Sequence, residues 1–410
     1  MVNIAVLGHG VVGSGVVEVL DKNGANIMKK AGSEIAIKYI LDLRDFPGSP
    51  HKHKFVKDFD VILKDDSIRV VVEVMGGVHP AYDFVKASLL AGKNAVTSNK
   101  EMVAAKGAEL LAIAKEKNVN FLFEASVGGG IPIIRPLHQC LAANGIDEIA
   151  GILNGTTNFI LTKMIKDGIS FEAALKMAQE LGYAEANPAA DVEGHDACRK
   201  ICILASLAYG SHVYPDKVPT QGITGITLED VRYAEGENCV IKLIGRSHRT
   251  EDGKVFAMVG PAFISKDSQL AGIDDVYNGI LVRGDATGDV VFYGKGAGKL
   301  PTASAVVGDV IDCVKAKGTI VSLQWADSNG DNLADSSIQP ATLYVRCQGD
   351  AQQVTKLFGD PVHLLTRKGQ KAGECAFITP TRPEGELRAK LRQLESAGVH
   401  VESTIHLLDY

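Results

Sequence analysis

No run of 18 apolar residues free of charge occurs among the 410 residues, so no segment is long and apolar enough to cross a bilayer as a helix. Positive charge is not in surplus either. Lys and Arg number 43 against 49 Asp and Glu, for a net charge of −6. That balance argues against nucleic-acid binding as the main task, which needs a clustered cationic excess to neutralise phosphates. The seven cysteines (Cys140, Cys198, Cys202, Cys239, Cys313, Cys347 and Cys375) are odd in number and include no CxxC pair. A disulfide framework is therefore not expected, and a reduced, cytoplasmic setting is. No targeting pattern opens the chain, no repeat is evident and no tract is of low complexity. Hydrophobic residues at 46% and charged residues at 22% are ordinary globular usage, enough for several cores.

What is abundant is glycine, 43 residues, which implies many close backbone approaches. Over the first ~130 residues strand and helix signals alternate. Strands are expected at 2–7, 35–41, 69–74, 94–97 and 120–124, and helices at 11–30, 80–91 and 101–117. Strands apolar on both faces imply a parallel sheet covered on both sides. The following region, 136–293, reads as a mixed α+β unit, with strands at 149–153, 255–259 and 289–293 and helices at 159–166, 171–181 and 193–209. A helix at 302–314 follows a second glycine-rich turn. The polar stretch 317–340 reads as a linker into a last unit, 341–410, whose pattern is βαββαβ.

The strongest local motif is Gly8-His9-Gly10-Val11-Val12-Gly13, directly after a strand and opening a helix. The glycines permit the tight turn, the approach of a pyrophosphate and close helix–strand packing, and the helix N-terminus offers free amides. A dinucleotide-binding Rossmann domain over 1–135, completed by 294–316, is the expectation. At the end of the second strand Asp42 would favour ribose hydroxyls and hence NAD, whereas Arg44 would pair a 2′-phosphate and favour NADP. Thr97-Ser98-Asn99-Lys100 lies at the carboxyl end of a parallel strand, where open α/β sheets bind ligands. The densest cluster is 182–200, which holds Glu185, Asp191, Asp196 and Lys200. Asp196 and Lys200 share a helix face at i,i+4, and two readings stay open there: an ordinary helix ion pair, or charges set into the start of a buried helix for use. Asn154-Gly155-Thr156-Thr157-Asn158 caps a helix or lines a polar pocket.

Seven segments together resemble homoserine dehydrogenase over essentially the whole chain: GHGVVGSGVV, VVVEVMGG, TSNKE, FEASVGGGIPII, ILNGTTNFIL, LGYAEANPAADVEGHDACRK and GKGAGKLPTASAVVGDV. That family interconverts L-homoserine and L-aspartate 4-semialdehyde with NAD or NADP. The resemblance implies that Lys200 transfers the proton, with Asp196 and Lys100 at the reacting carbon. It implies substrate contacts from Glu185, Asp191, Tyr183 and Thr156. Cofactor contacts are implied for Gly8, His9, Gly10, Val11, Val12, Gly13, Arg44, Thr97, Ser98, Lys100, Gly182 and Gly298, with NADP preferred and NAD the alternative. A monovalent cation, sodium, is implied at Glu124, Val127, Gly129 and Ile131; an all-oxygen set suits a hard cation.

The fold class implied is α/β: a Rossmann-type parallel sheet, an α+β catalytic and dimerisation domain over 136–293, and a C-terminal ACT-like domain. The expected partners are the small-molecule substrate and further copies of the chain, as a homodimer or homotetramer. No aspartate kinase precedes the first strand, so that activity is expected to be absent. The ligand turn usual in ACT domains is replaced by Gln348-Gly349-Asp350-Ala351, so amino-acid feedback is expected to be weak. Two rivals are a semialdehyde dehydrogenase that forms an acyl phosphate, which needs an activated cysteine, and a nucleotide-sensing regulator.

Overall fold

The computed structural model describes every residue except Lys317, Ser322, Gln324, Asp360 and Pro361. The first ~125 residues run β1 (Val2–Leu7), α1 (Val11–Ala31), β2 (Ile35–Leu41), β3 (Phe55–Val56), α2 (Asp60–Leu63), β4 (Ile68–Glu73), α3 (Ala81–Leu90), β5 (Asn94–Thr97), α4 (Lys100–Glu116) and β6 (Phe121–Leu122). The strands form one parallel sheet in the order β3-β2-β1-β4-β5-β6, the doubly wound arrangement that binds dinucleotides. Alternate residues of its central strands serve opposite cores. Ile4, Val6, Val70 and Val72 join the large core on one face. Ala5, Leu7 and Val71 join a smaller one on the other. Both faces are dry, as the unbroken β-branched runs imply. The strand expected at 120–124 stops after two residues, because Glu124 leaves the sheet to bind the chain at 133–135.

The middle of the chain runs β7 (Ile146–Ile152), α5 (Gly155–Asp167), α6 (Phe171–Glu180), α7 (Ala189–Val192), α8 (His195–Tyr209), α9 (Leu228–Gly236), β8 (Cys239–Arg249), β9 (Val255–Ser265), β10 (Tyr277–Gly284) and β11 (Gly288–Lys295). Next, α10 (Lys299–Lys315) returns to the first sheet and packs on α1. A Cβ at Gly15 would lie 2.8 Å from the Lys299 carbonyl oxygen, so only glycine admits so close a crossing. The last elements are β12 (Pro340–Ala341), β13 (Leu343–Gln348), α11 (Ala351–Phe358), β14 (His363–Leu365), β15 (Glu374–Ile378), β16 (Arg382–Pro383), α12 (Glu384–Ser396) and β17 (His400–Leu408). The βαββαβ order is present as β13-α11-β14-β15-α12-β17, with its own apolar core around Val345, Phe377, Leu387 and Leu391.

This last unit does not stand apart. β17 lies parallel to β9, so one nine-stranded sheet runs β11-β10-β7-β8-β9-β17-β13-β15-β14. Polar ties reinforce the join. Asp230 of α9, fully buried, accepts hydrogen bonds from Arg346 (2.8 Å) and Tyr344 (3.0 Å). The polar stretch 317–340, of which Lys317, Ser322 and Gln324 lie outside the described residues, is no free tether. Trp325 is buried, donates to His212 Nδ1 at 2.8 Å, and packs where a Cβ on Gly107 would come within 2.5 Å of its ring. His212 in turn bonds the Ala104 carbonyl of α4. Trp325 thus straps the chain to α4 and to the segment around His212.

Candidate active site

A cavity of about 510 Å³ opens where α4, α5, α8 and the N-terminus of α10 converge. Its charged lining is Lys100, Asp191, Asp196, Lys200 and Lys295, with Asn154, Thr156, Gly182, Tyr183 and Gly298 beside them. Local structure brings these together. The helix expected over 193–209 is broken at Gly194, whose φ of +87° suits glycine, and α7 precedes the break. Asp191 and Asp196 thereby stand on either side of a turn and face one amide. Asn154 Nδ2 donates to Asp191 Oδ1 at 2.7 Å and to Asp196 Oδ2 at 2.9 Å. The Asn154 Oδ1 atom caps α5 through the Thr157 amide at 2.8 Å. Both readings of that asparagine thus hold at once.

Asp196 is the hub. Its Oδ2 accepts from Lys200 Nζ at 2.8 Å, and its Oδ1 pairs with Lys100. Lys200 Nζ also donates to the Leu153 carbonyl at 2.7 Å. The Asp196 and Lys200 side chains are only 4% and 8% exposed, so this is not an ordinary surface i,i+4 pair. Burial works against the Asp196 charge, but Lys200 and Lys100 outweigh it and hold the carboxyl well below its usual range. For Lys200 the balance goes the other way. Burial is the larger effect and, with Lys100, lowers its pKa despite Asp196. A lysine salt-bridged yet lowered is one that can both give and take a proton. Burial and the neighbouring Asp196 charge raise Asp191.

The glycine-rich turn fits a pyrophosphate. Gly8 has a φ of +96°, and a Cβ on Gly13 would lie 1.9 Å from the Gly8 carbonyl oxygen. Gly10 caps α1 without a side chain, no acid occupies the first turn, and so the amides there are open to an anion. A second cavity, of about 370 Å³, is lined by Gly8, Gly10, Asp42, Arg44 and Lys57. There Asp42 accepts from the His9 amide at 2.8 Å and from Arg44 at 3.0 and 2.9 Å. At the end of β4, next to Val74 and Met75 of the second cavity, Glu73 is fully buried and accepts from Thr97 Oγ1 at 2.6 Å and from the Met75 amide at 2.7 Å. Thr97 accepts from the Asn99 amide, and the Asn99 side chain caps α4, which begins with Lys100. Ser98 lies in the same loop, its amide reaching the Glu73 carbonyl at 3.4 Å.

Of the residues singled out from sequence, Lys100, Thr156, Gly182, Tyr183, Asp191, Asp196, Lys200 and Gly298 line the first cavity, and Gly8, Gly10 and Arg44 line the second. Val11, Val12 and Gly13 form the first turn of α1. Glu185 is exposed and outside the lining of either cavity. The Glu124 carboxylate accepts the amides of Ile133, Ile134 and Arg135 at 2.7–2.9 Å. Among the described residues no group of three His, Cys, Asp or Glu is arranged for a metal. Lys295 and Glu73 were not selected from sequence. Lys295 could have been found from its place beside the second glycine-rich turn. No cysteine among the described residues lines the main cavity, and Cys198 is buried with its thiol near the Pro215 carbonyl.

Two family models match. One described as homoserine dehydrogenase covers 132–311, and one described as homoserine dehydrogenase, NAD binding domain, covers 8–124. The homoserine dehydrogenase of Synechocystis sp. is 45% identical over 319 residues, 76% of this chain and 73% of the relative. That of Neisseria gonorrhoeae is 36% identical over 416 residues, covering 96% and 95%. The crystal structure of a homoserine dehydrogenase from Thiobacillus denitrificans superposes with a TM-score of 0.91 at 35% identity, over 100% of this chain and 98% of that one. A hyperthermophilic archaeal homoserine dehydrogenase in complex with NADPH gives 0.66 at 28% identity, over 76% and 97%.

Proposed function

The chain belongs to the homoserine dehydrogenase family, an NAD(P)-dependent interconversion of L-homoserine and L-aspartate 4-semialdehyde, and on that premise we propose how its residues divide the work. The nicotinamide supplies the hydride chemistry. Lys200 handles the proton at the substrate oxygen, donating it when the aldehyde is reduced and taking it back when the alcohol is oxidised. Asp196 orients Lys200 and Lys100 around that oxygen. The observation that carries this reading is the single buried carboxylate shared by two lysines inside the main cavity. Burial lowers the Lys200 pKa, so more of it than of a free lysine stands in the neutral, proton-accepting form that oxidation of the alcohol needs.

Asp191 is the counter-charge for the substrate ammonium, with Thr156 and Tyr183 shaping the pocket. Glu185 is a second ammonium contact, on the strength of its motif. The cofactor lies across the α1 N-terminus toward Gly182 and Gly298, with Thr97, Ser98 and Lys100 at its reacting end. NADP is favoured by Arg44 and Lys57 at the mouth of the second cavity, and NAD by the Asp42 carboxylate there. Sodium, where bound at 124–131, would be held by the main-chain carbonyls of Glu124, Val127, Gly129 and Ile131. The unit 341–410 is ACT-like, and its substituted ligand turn argues for weak threonine inhibition. A cytoplasmic homodimer or homotetramer completes the proposal, with the middle domain as the dimer interface. The test is reduction of aspartate semialdehyde with NADPH and NADH in turn, comparing wild type with Lys200→Met. At least a 100-fold loss in kcat with unchanged cofactor affinity is expected, and near wild-type turnover would remove Lys200 from the chemistry.

A further inference from the structure

Away from the two cavities described above lies a third, of about 330 Å³, at the seam where β17 joins β9. It shares no lining residue with either of them. Its floor is one face of the large sheet. Register sets Arg246 of β8 against Met258 of β9 and His248 against Phe256, and His406 enters from β17 opposite Ala262. Residues two apart on a strand share a face, so these side chains stand together. Gly260 leaves the space between them open. A Cβ there would lie 3.5 Å from Met258 Cε and 4.0 Å from His406 Nδ1. The ribbon of β12 and β16 forms the facing wall, where the Thr342 and Thr381 hydroxyls bond each other at 2.8 Å and Glu384 follows.

Buried polar atoms without a partner are rare in folded proteins, and each one calls for an explanation. Three nitrogens on the wall of this cavity are buried and unpartnered: Arg246 Nε, His248 Nδ1 and His406 Nδ1. His406 is only 6% exposed. Arg246 engages Glu148 through Nη2 at 2.9 Å, which leaves Nε, an atom that can only donate. Each imidazole Nδ1 donates in the matching tautomer or protonation state. The unmet demand is therefore for an acceptor, and a charged acceptor answers it best. The carboxylate in the lining cannot serve. Glu384 Oε1 takes Arg388 at 3.1 and 2.9 Å, and its Oε2 faces His406 Nε2 at 3.4 Å. For the same reason an arriving ammonium finds no free carboxylate, which sets amino acids aside. A bare inorganic oxyanion would leave the apolar floor of Phe256, Met258 and Leu407 uncovered.

We infer that this cavity binds a small monocarboxylate without an amino group, its carboxylate on Arg246, His248 and His406 and its short carbon chain on Phe256 and Met258. The test titrates butyrate into the full-length protein with isotope-labelled methionine methyls, the Met258 signal being assigned through M258L. A saturable, one-site shift of the Met258 methyl is expected with a Kd of about 0.1–10 mM, while the Met75 methyl of the second cavity stays put. R246M and H248F should each weaken binding at least about 10-fold. H248F keeps an aromatic ring against Phe256, where the His248 ring now lies 5.0 Å away, and unchanged homoserine turnover reports that each variant is folded. Should R246M fail to fold, H248F and the ligand series decide. Butyramide, inorganic phosphate and L-2-aminobutyrate should each bind at least about 10-fold more weakly than butyrate. A Met258 shift still rising linearly at about 100 mM, or butyramide binding as well as butyrate, would overturn the anion site. Phosphate binding as tightly as butyrate would overturn the carboxylate class, and L-2-aminobutyrate binding as tightly would overturn the exclusion of amino acids. Butyrate affinity unmoved in H248F would remove the imidazole from the site and the inference with it.

Discussion

Replacing Asp196 by Asn tests the hub with almost no change of shape. The variant leaves Lys200 facing the Leu153 carbonyl and Lys100 without its partner. Lys100 is 39% exposed and can turn to water, so its share of the loss is about 0–1 kcal/mol. Lys200 cannot, because its side chain is 8% exposed. Stripping a buried charge of its partner costs about 3–5 kcal/mol. A ceiling applies, since Lys200 can escape by giving up its proton. At pH 7 that costs about 3.4 units from an unfolded pKa near 10.4, or about 4.6 kcal/mol. The two figures are close, so the folded variant sits near the neutral-lysine limit. The sign follows from linkage. A folded lysine whose pKa is lowered takes up a proton on unfolding, so stability rises with pH between its folded and unfolded values. The deficit of Asp196→Asn against wild type should therefore shrink from pH 7 to 9, by at most about 1.4 kcal/mol per unit, the limit set by a wild-type Lys200 that keeps its proton throughout. Urea unfolding at several pH values measures it. A deficit under about 1 kcal/mol at pH 7, or one that grows with pH, would refute the burial argument.

Arg44→Ala should weaken NADPH selectively, by about 10-fold against NADH, and equal binding before and after would remove Arg44 from cofactor choice. Asp191→Asn should raise the homoserine KM well above the effect of Glu185→Gln, as read from steady-state kinetics, because Asp191 lines the cavity and Glu185 does not. Trp325→Ala should cost about 3–5 kcal/mol in denaturant unfolding, since it empties the space over Gly107 and leaves His212 without its donor. Truncation at residue 340 should yield insoluble or unfolded protein, because Asp230 would stay buried without Arg346 and Tyr344. A soluble, active fragment would show that the joined sheet is dispensable.

Much of this was legible because the signals were local. The turn Gly8–Gly13, the two-faced strands around Val70–Val72 and the spacing of Asp196 and Lys200 each depend on residues close in sequence. What stayed hidden depends on partners far away. The strand β8 reads as too polar, with Lys242, Arg246 and His248 along one side. Yet Lys242 is buried because the Ile273 carbonyl, Asn158 and Asp274 receive its ammonium. The strap looks like a linker by composition, and only the pocket made by Gly107 and His212 explains why Trp325 sits inside. Lys295 was passed over because a lysine between glycines carries no periodic signal; its meaning comes from the cavity. The Glu124 carboxylate is held by amides nine to eleven residues further on, a contact that no local pattern announces.

The parallel seam between β9 and β17 also sets an order of events during synthesis. Register pairs Ala262 with His406, 144 residues apart in the chain. At about 5–20 residues per second, β9 leaves the ribosome roughly 7–30 s before its neighbour exists. Throughout that interval every residue of the catalytic cluster has been made, yet an apolar strand edge lies open to any passing chain. Slow codons after β9 would lengthen that exposure, and a chaperone that holds strand edges would shorten it in effect. The yield of active enzyme is thus expected to depend on a strand that lines neither the main cavity nor the second one.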